Sequence, residues 1–229
     1  MTIAPEGHPV PGWLRDLARA TEQLIVPDAL RPPPGGGRRS AILVLFGLDH
    51  DLASGPDLLL VQRSASLRRH AGQPAFPGGV IDPGDDGPAG AALREAAEEA
   101  GVDPAGVDVV TVLPDLYISR TGYRVSPVLA WWREPGPIAP GDPAEVAAVA
   151  RVPVSELADP AHRLMIRYPN GGAGPAFCAG SMLIWGFTAF VISQLLVAGG
   201  WDQPWDTANV VELPPNGGLT GIDSPAQAS

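Results

Sequence analysis

The chain has 229 residues, 45% of them apolar, which is enough for one ordinary domain with extensions, or two small ones, around a real core and excludes a disordered protein. Twenty-five acidic against fifteen basic residues leave a formal charge of −10, which disfavours a broad nucleic-acid or anionic-membrane footprint. All fifteen basic residues are arginine, so a phosphate loop ending in Gly-Lys-Ser/Thr, a kinase-type strand lysine and a Schiff-base lysine are excluded. Phosphate handling falls to arginine, metal ions and backbone N–H groups.

In chain order, the first residues show no basic segment followed by an apolar run, so no secretory leader is expected and a cytoplasmic protein is. Trp13, Leu14, Leu17, Thr21, Leu24 and Ile25 recur at helical spacing and predict an amphipathic helix over 11–26. The Pro/Gly/Arg linker RPPPGGGRR at 31–39 then sets off residues 1–39 as an extension to a main domain over 40–205. Short apolar runs bounded by turn residues predict strands at 41–48, 57–63, 107–119 and 123–132. One helix is expected at 88–100, with proline in its first turn and Gly101 just past its end.

A second helix is expected at 182–198, stopped by Gly199-Gly200, inside an uncharged stretch from Ala176 to Gly200 that is long enough to span a bilayer. Gly180, Ser181, Gly186, Thr188, Ser193 and Gln194 interrupt that stretch, so a buried helix is the expectation and a membrane span the alternative. Cys178, the single cysteine, reads as a small buried hydrophobe. Residues 206–229 read as a mostly disordered tail.

The chemistry concentrates in FPGGVIDPGDDGPAGAALREAAEEAGV, residues 76–102. At 100° per residue Glu95, Glu98 and Glu99 share one helix face, and Ala89, Leu93, Ala96, Ala97 and Ala100 fall opposite. Three carboxylates on one face repel, which argues for a compensating cation, and carboxylate oxygens suit a hard ion such as Mg2+ or Mn2+. The alternative is a solvated acidic face. Gly78-Gly79 just upstream frees backbone to offer a carbonyl to the ion and lets phosphate approach closely. Arg94 lies one turn before Glu98 and can pair with it. Upstream, Arg63, Arg68 and Arg69 cluster beside the glycine turn as an anion site, against the alternative of ordinary surface arginines. His70 reads equally as a structural histidine or one that touches substrate, and Glu145 as an exposed loop glutamate or a general base entering the cleft.

Arg94-Glu95-Ala96-Ala97-Glu98-Glu99-Ala100-Gly101-Val102, with Gly79, resembles the signature of the Nudix hydrolases. Two departures are visible: Asp85 stands where the general pattern has glutamate, and one extra residue precedes Arg94. Both are tolerated in the coenzyme A branch of that superfamily, which the run Arg63-Ser64, Leu67-Arg68, His70, Gly72-Gln73 and Phe76 to Gly79 also resembles. Ile184-Trp185-Gly186-Phe187-Thr188-Ala189 is similar to a C-terminal helix of the same branch.

The resemblance implies an α/β fold: a Nudix-type α/β/α sandwich with a mixed β-sheet, here preceded by the helical extension. It implies metal-dependent hydrolysis of a diphosphate, with Glu95, Glu98, Glu99 and the Gly79 carbonyl holding Mg2+ or Mn2+. Arg94 supports that set, and one glutamate or Glu145 takes the proton. Arg63, Arg68, Arg69, His70, Gly78 and Gly79 are the expected substrate contacts. The first substrate candidate is coenzyme A, cleaved to 3′,5′-ADP and 4′-phosphopantetheine; alternatives are nucleoside triphosphates, ADP-ribose- or NADH-like diphosphates, or a binding module without turnover. The expected partner is a small-molecule diphosphate, neither nucleic acid nor membrane, with a homodimer left open.

Overall fold

The computed structural model describes residues 9–22, 26–48, 55–67, 71–169, 171–214 and 217–218. Among these, the helices are α1 (Gly12–Thr21), α2 (Gly87–Ala100), α3 (Val154–Ala158) and α4 (Gly186–Ala198). The strands are β1 (Arg38–Leu48), β2 (Pro56–Arg63), β3 (Pro74–Ala75), β4 (Gly78–Val80), β5 (Val107–Val112), β6 (Leu116–Ile118), β7 (Tyr123–Trp132), β8 (Val146–Pro153), β9 (Arg163–Arg167), β10 (Ala173–Ala179), β11 (Met182–Ile184) and β12 (Val210–Glu212).

The main sheet runs β3-β2-β1-β7-β5, with β4 against β1, β6 against β7 and β8 against β2. It is mixed: β1 and β7 are parallel, and β1 pairs antiparallel with both β2 and β4. Side chains alternate across this sheet. Leu43, Leu45, Leu59, Val61 and Ala130 join Ala91, Ala92, Ala96 and Ala100 of α2 in one core. Val44, Phe46, Leu58, Leu60 and Trp131 join Leu14 and Leu17 of α1 and Val191, Ile192 and Leu195 of α4 in the other. The run AILVLF is apolar without alternation because both faces of β1 are covered. The expected α/β/α sandwich is therefore the observed one.

The helix at the N-terminus is part of that sandwich. Leu14, Leu17 and Thr21 are buried at i, i+3 and i+7. Trp13 stands edge-on to Phe46, Trp131 and Trp201 at centroid distances of 5.4, 6.1 and 5.5 Å. Helix α1 ends at Thr21, and Leu24 and Ile25 of the expected 11–26 helix lie outside the described residues.

Three expectations are corrected. The single strand expected at 107–119 is two, β5 and β6, broken at Leu113-Pro114-Asp115, where proline has no N–H for the ladder. The helix expected from 182 begins at Gly186, because Gly180 at φ +52° turns β10 back on β11 as a hairpin and Trp185 remains extended. Ala176–Gly200 is thus a hairpin and a 13-residue helix, and no helix among the described residues is long and apolar enough to cross a membrane. Within the stretch expected as a tail, Val210–Glu212 forms β12, parallel to β9.

A second sheet, β11-β10-β9-β12, was not legible in the sequence. Its brace is Arg163, 4% exposed. The guanidinium stacks on Phe177 and Trp205 at 5.4 and 4.6 Å, and Nη1 donates to Asp202 at 2.6 Å. Strand β8 was also missed: VAAVARVP is rich in alanine, a weak strand former, and is extended because it pairs with β2 from Asp57 to Arg63.

Candidate active site

Helix α2 ends in a left-handed Gly101 at φ +71°, whose N–H caps the Ala97 carbonyl while Val102 N–H caps that of Ala96. Its small residues let the axis lie close over β1 and β4. The buried face is Ala91, Ala92, Ala96 and Ala100 together with Glu99, so it is rotated from the expected one and Glu99 points inward. The three glutamates form a burial gradient, with side-chain exposures of 8% for Glu99, 17% for Glu95 and 60% for Glu98.

Below the helix, β4 pairs with β1 so that Gly78 lies beside Ile42 and Gly79 beside Ala41. A β-carbon on Gly78 would sit 2.3 Å from the Ala41 carbonyl oxygen, and one on Gly79 would sit 2.1 Å from Glu95 Oε1. Glycine is needed at both positions for close approach, not for its backbone angles. Gly78 N–H donates to Glu99 Oε2 at 3.0 Å, which fixes one carboxylate oxygen.

Arg94 is the hub of the loop before the helix. Its Nε and Nη2 hold Asp85 Oδ1 and Oδ2 at 2.9 and 3.1 Å, a bidentate pair, and Nη2 also donates to the Val80 carbonyl at 3.1 Å. Nη1 donates to Glu95 Oε1 at 3.0 Å and Glu98 Oε2 at 3.2 Å. Asp85, the departure from the general signature, thus closes the loop on the arginine with one methylene fewer. Its carboxyl is held below the usual range by Arg94 and by the backbone N–H of Asp82. Arg94 is correspondingly fixed as a cation, chiefly by its hydrogen bonds to Asp85.

Burial pushes Glu99 up to about 7, with Gly78 N–H and Arg63 opposing and the charges of Glu95 and Glu145 adding to the rise. Glu95 is raised by burial too, against the pull of Arg94. Arg63 reaches Glu99 from the end of β2, Nη1 to Oε1 at 3.7 Å. A bulge aims it there: Gln62 pairs with Ala148 but Arg63 with Val146, leaving an extra residue in β8. The backbone of Arg63 is bonded to Gln73 and Gly72, and the next residue, Ser64, donates its N–H to the Glu145 carbonyl at 2.8 Å. Glu145 is exposed at the rim of this cluster.

Gly78, Gly79, Arg94, Glu95, Glu98, Glu99, Arg63 and Glu145 are therefore brought together. Arg68, Arg69 and His70 lie outside the described residues. Two contributors were missed. Gly141 crosses the end of α2 so closely that a β-carbon would lie 1.8 Å from the Glu98 carbonyl oxygen, and its N–H bonds the Glu99 carbonyl. Thr188 of α4 donates to the Pro74 carbonyl at 3.2 Å, tying the expected C-terminal helix to the segment before β4. Only the glycine in GDPAEV marked the first, and a lone threonine on an apolar helix marked the second.

Among the described residues no three acidic, histidine or cysteine side chains converge on one point as they stand. Arg94 Nη1 occupies the position between Glu95 and Glu98. The donors nevertheless fit a hard divalent ion: they are oxygen only, Glu95 lies against a glycine with no room for a side chain, and the innermost carboxylate faces one loosely placed arginine.

A glutamate helix laid over a glycine strand, beside arginine, offers carboxylates to a hard cation and a guanidinium to a phosphate. The NUDIX domain family matches residues 37–168. A protein of Escherichia coli K12 named "Uncharacterized Nudix hydrolase NudL" is 40% identical over 154 residues, covering 63% of this chain and 76% of its own. Its Citrobacter koseri namesake is 41% identical over 154 residues with the same coverage. Among solved structures, a Nudix hydrolase from M. smegmatis, RenU, shares 28% identity with a TM-score of 0.44, covering 58% of this chain and 84% of its own. The chain belongs to the Nudix family and is a pyrophosphatase acting on phosphorus-containing anhydrides.

Proposed function

We propose that the substrate is coenzyme A or an acyl-coenzyme A, cleaved at its diphosphate to 3′,5′-ADP and the (acyl-)4′-phosphopantetheine, with Mg2+ or Mn2+ as the cofactor. The observation that carries this reading is the run from Arg63 to Gly79. It leads from the end of β2 into β4 and begins with an arginine against the innermost carboxylate of α2. That is where a substrate with phosphates on both sides of the reacting bond needs a second cation. Arg68, Arg69 and His70 are proposed as further contacts within the same run.

Glu95, Glu98, Glu99 and the Gly79 carbonyl would hold the ion. When bound, it supplies neutralisation of the diphosphate and acidity to the attacking water. Arg94 holds the loop to Asp85 and orients Glu95 and Glu98. Gly78 N–H fixes Glu99 Oε2, leaving Oε1 directed toward Arg63. Glu145, exposed at the rim, takes the water proton on its carboxylate. Gly78 and Gly79 leave room for the β1 backbone and for the Glu95 carboxylate, which keeps that carboxylate close over β4.

A substrate panel tests the assignment: coenzyme A, acyl-coenzyme A, dephospho-coenzyme A, NADH, ADP-ribose and nucleoside triphosphates with added Mg2+ or Mn2+. The expected result is highest kcat/KM on coenzyme A or its acyl ester, with 3′,5′-ADP released. A higher value on ADP-ribose, NADH or a nucleoside triphosphate overturns the substrate and leaves the pyrophosphatase chemistry standing.

A further inference from the structure

The two arginines at the site are held very differently. Arg94 has Nε, Nη1 and Nη2 all engaged, by Asp85, Val80, Glu95 and Glu98. Arg63 has a clamped backbone and a loose head. Its N–H and carbonyl are bonded to Gln73 and Gly72 at 3.0 and 3.1 Å. Its Nη1 stands 3.7 Å from Glu99 Oε1, near enough for ion pairing but beyond a hydrogen bond. Its Nε is buried with no hydrogen-bond partner among the described residues.

A guanidinium with an unused buried donor, facing a carboxylate it does not bond, is poised to move. Glu99 also belongs to the proposed ion site, so two cations compete for it. A charge about 6 Å from a divalent ion weakens its binding about ten-fold even when water screens the pair.

We propose that Arg63 is an exchangeable counter-ion: it neutralises Glu99 in the ion-free protein and turns to a substrate phosphate when a divalent ion takes that carboxylate. This rests on the assignment of Glu99 to the ion site and deepens the role given to Arg63 above. Arg63 is then a positioning residue for ion uptake and a phosphate contact afterwards. It couples the two binding events, because anion affinity rises only after the carboxylate has been claimed.

The test is a titration of the full-length protein with Mn2+ at pH 8, reading free Mn2+ by electron paramagnetic resonance, without substrate. R63Q should bind Mn2+ about ten-fold more tightly than wild type, and R63K should bind like wild type. Equal or weaker binding by R63Q, or an R63K that behaves as R63Q, overturns the proposal. A second measurement does not need R63Q to fold. In EDTA, E99Q should bind methylenediphosphonate about ten-fold more tightly than wild type, because Arg63 is released, and R63K/E99Q should keep that gain. Unchanged affinity in E99Q overturns the proposal. Neither titration contains coenzyme A, so an error in the substrate leaves these outcomes standing and failure here leaves the substrate panel unaffected.

Discussion

Gly78 and Gly79 are neighbours with the same side chain and different reasons for it. A methyl on Gly78 meets the backbone of β1, at Ala41 O and Ile42 Cα, neither of which can move without opening the ladder. A methyl on Gly79 meets the far end of Glu95, which can swing aside. Gly78→Ala should therefore lower stability by about 1 to 3 kcal/mol, as over-packing does. Gly79→Ala should melt close to wild type and yet lose turnover by about two orders of magnitude, because the displaced group is a proposed ion ligand. Thermal melts alongside kcat/KM on the best substrate check both; similar melting temperatures for the two variants would contradict the distinction.

Glu99 gives a pH signature. Its folded value of about 7 lies above the roughly 4.3 of a free glutamate, so the unfolded chain releases this proton first. Its stabilising contribution is complete below the unfolded value and is lost as pH rises to about 7, on the order of 3 kcal/mol in all. In EDTA, the stability of wild type relative to Glu99→Gln should fall between about pH 4.5 and 7 and then level off. Denaturant unfolding of the two proteins across that range measures it, and parallel curves would show that Glu99 is not desolvated. The three glutamates and Arg94 were legible from the sequence because the helical repeat puts them on one side. Their ranking by burial was not, since it depends on how far α2 rolls onto β4.

At the scale of elements, strong local signals survived and context-dependent ones did not. Helix α2 announces itself by Pro88 and Gly101, β1 and β2 by unbroken apolar runs, and β7 by the apolar stretch from Val128 to Trp132. Strand β8 owes its form to β2, and β12 owes its form to β9, pairings distant in sequence that leave no local mark. The loop before β8 is where one residue sets the placement of a whole element. Gly141 has its would-be β-carbon 1.8 Å from the Glu98 carbonyl oxygen, a backbone atom. Gly141→Ala should force the 139–145 segment off the end of α2, costing about 1 to 3 kcal/mol and shifting Glu145 from the rim. Melting temperature and kcat should fall together; a variant with both unchanged would place Glu145 independently of this contact.

At the scale of the molecule, the helix expected as an extension is structural. Trp13 is half-buried among Phe46, Trp131 and Trp201, so Trp13→Ala should destabilise by roughly 2 to 4 kcal/mol with KM little altered. Equilibrium unfolding read beside steady-state kinetics tests this, and a large KM change with unchanged stability would move α1 to the substrate side.

The sheet separates two unequal cores. Toward α2 the core joins the alanines of the helix to Leu43, Leu45, Leu59, Val61 and Trp132; toward α1 and α4 it is larger and holds Leu, Ile, Val, Phe and Trp. Folding strength is thus stored mainly on the side away from the glutamate helix. A lineage can trade residues around the glutamate helix, accept the loss of a few contacts and still inherit a folded chain. The larger core acts as the reserve that makes changes of substrate survivable, so directed evolution of specificity should tolerate more substitutions in the loops around α2 than between α1 and α4.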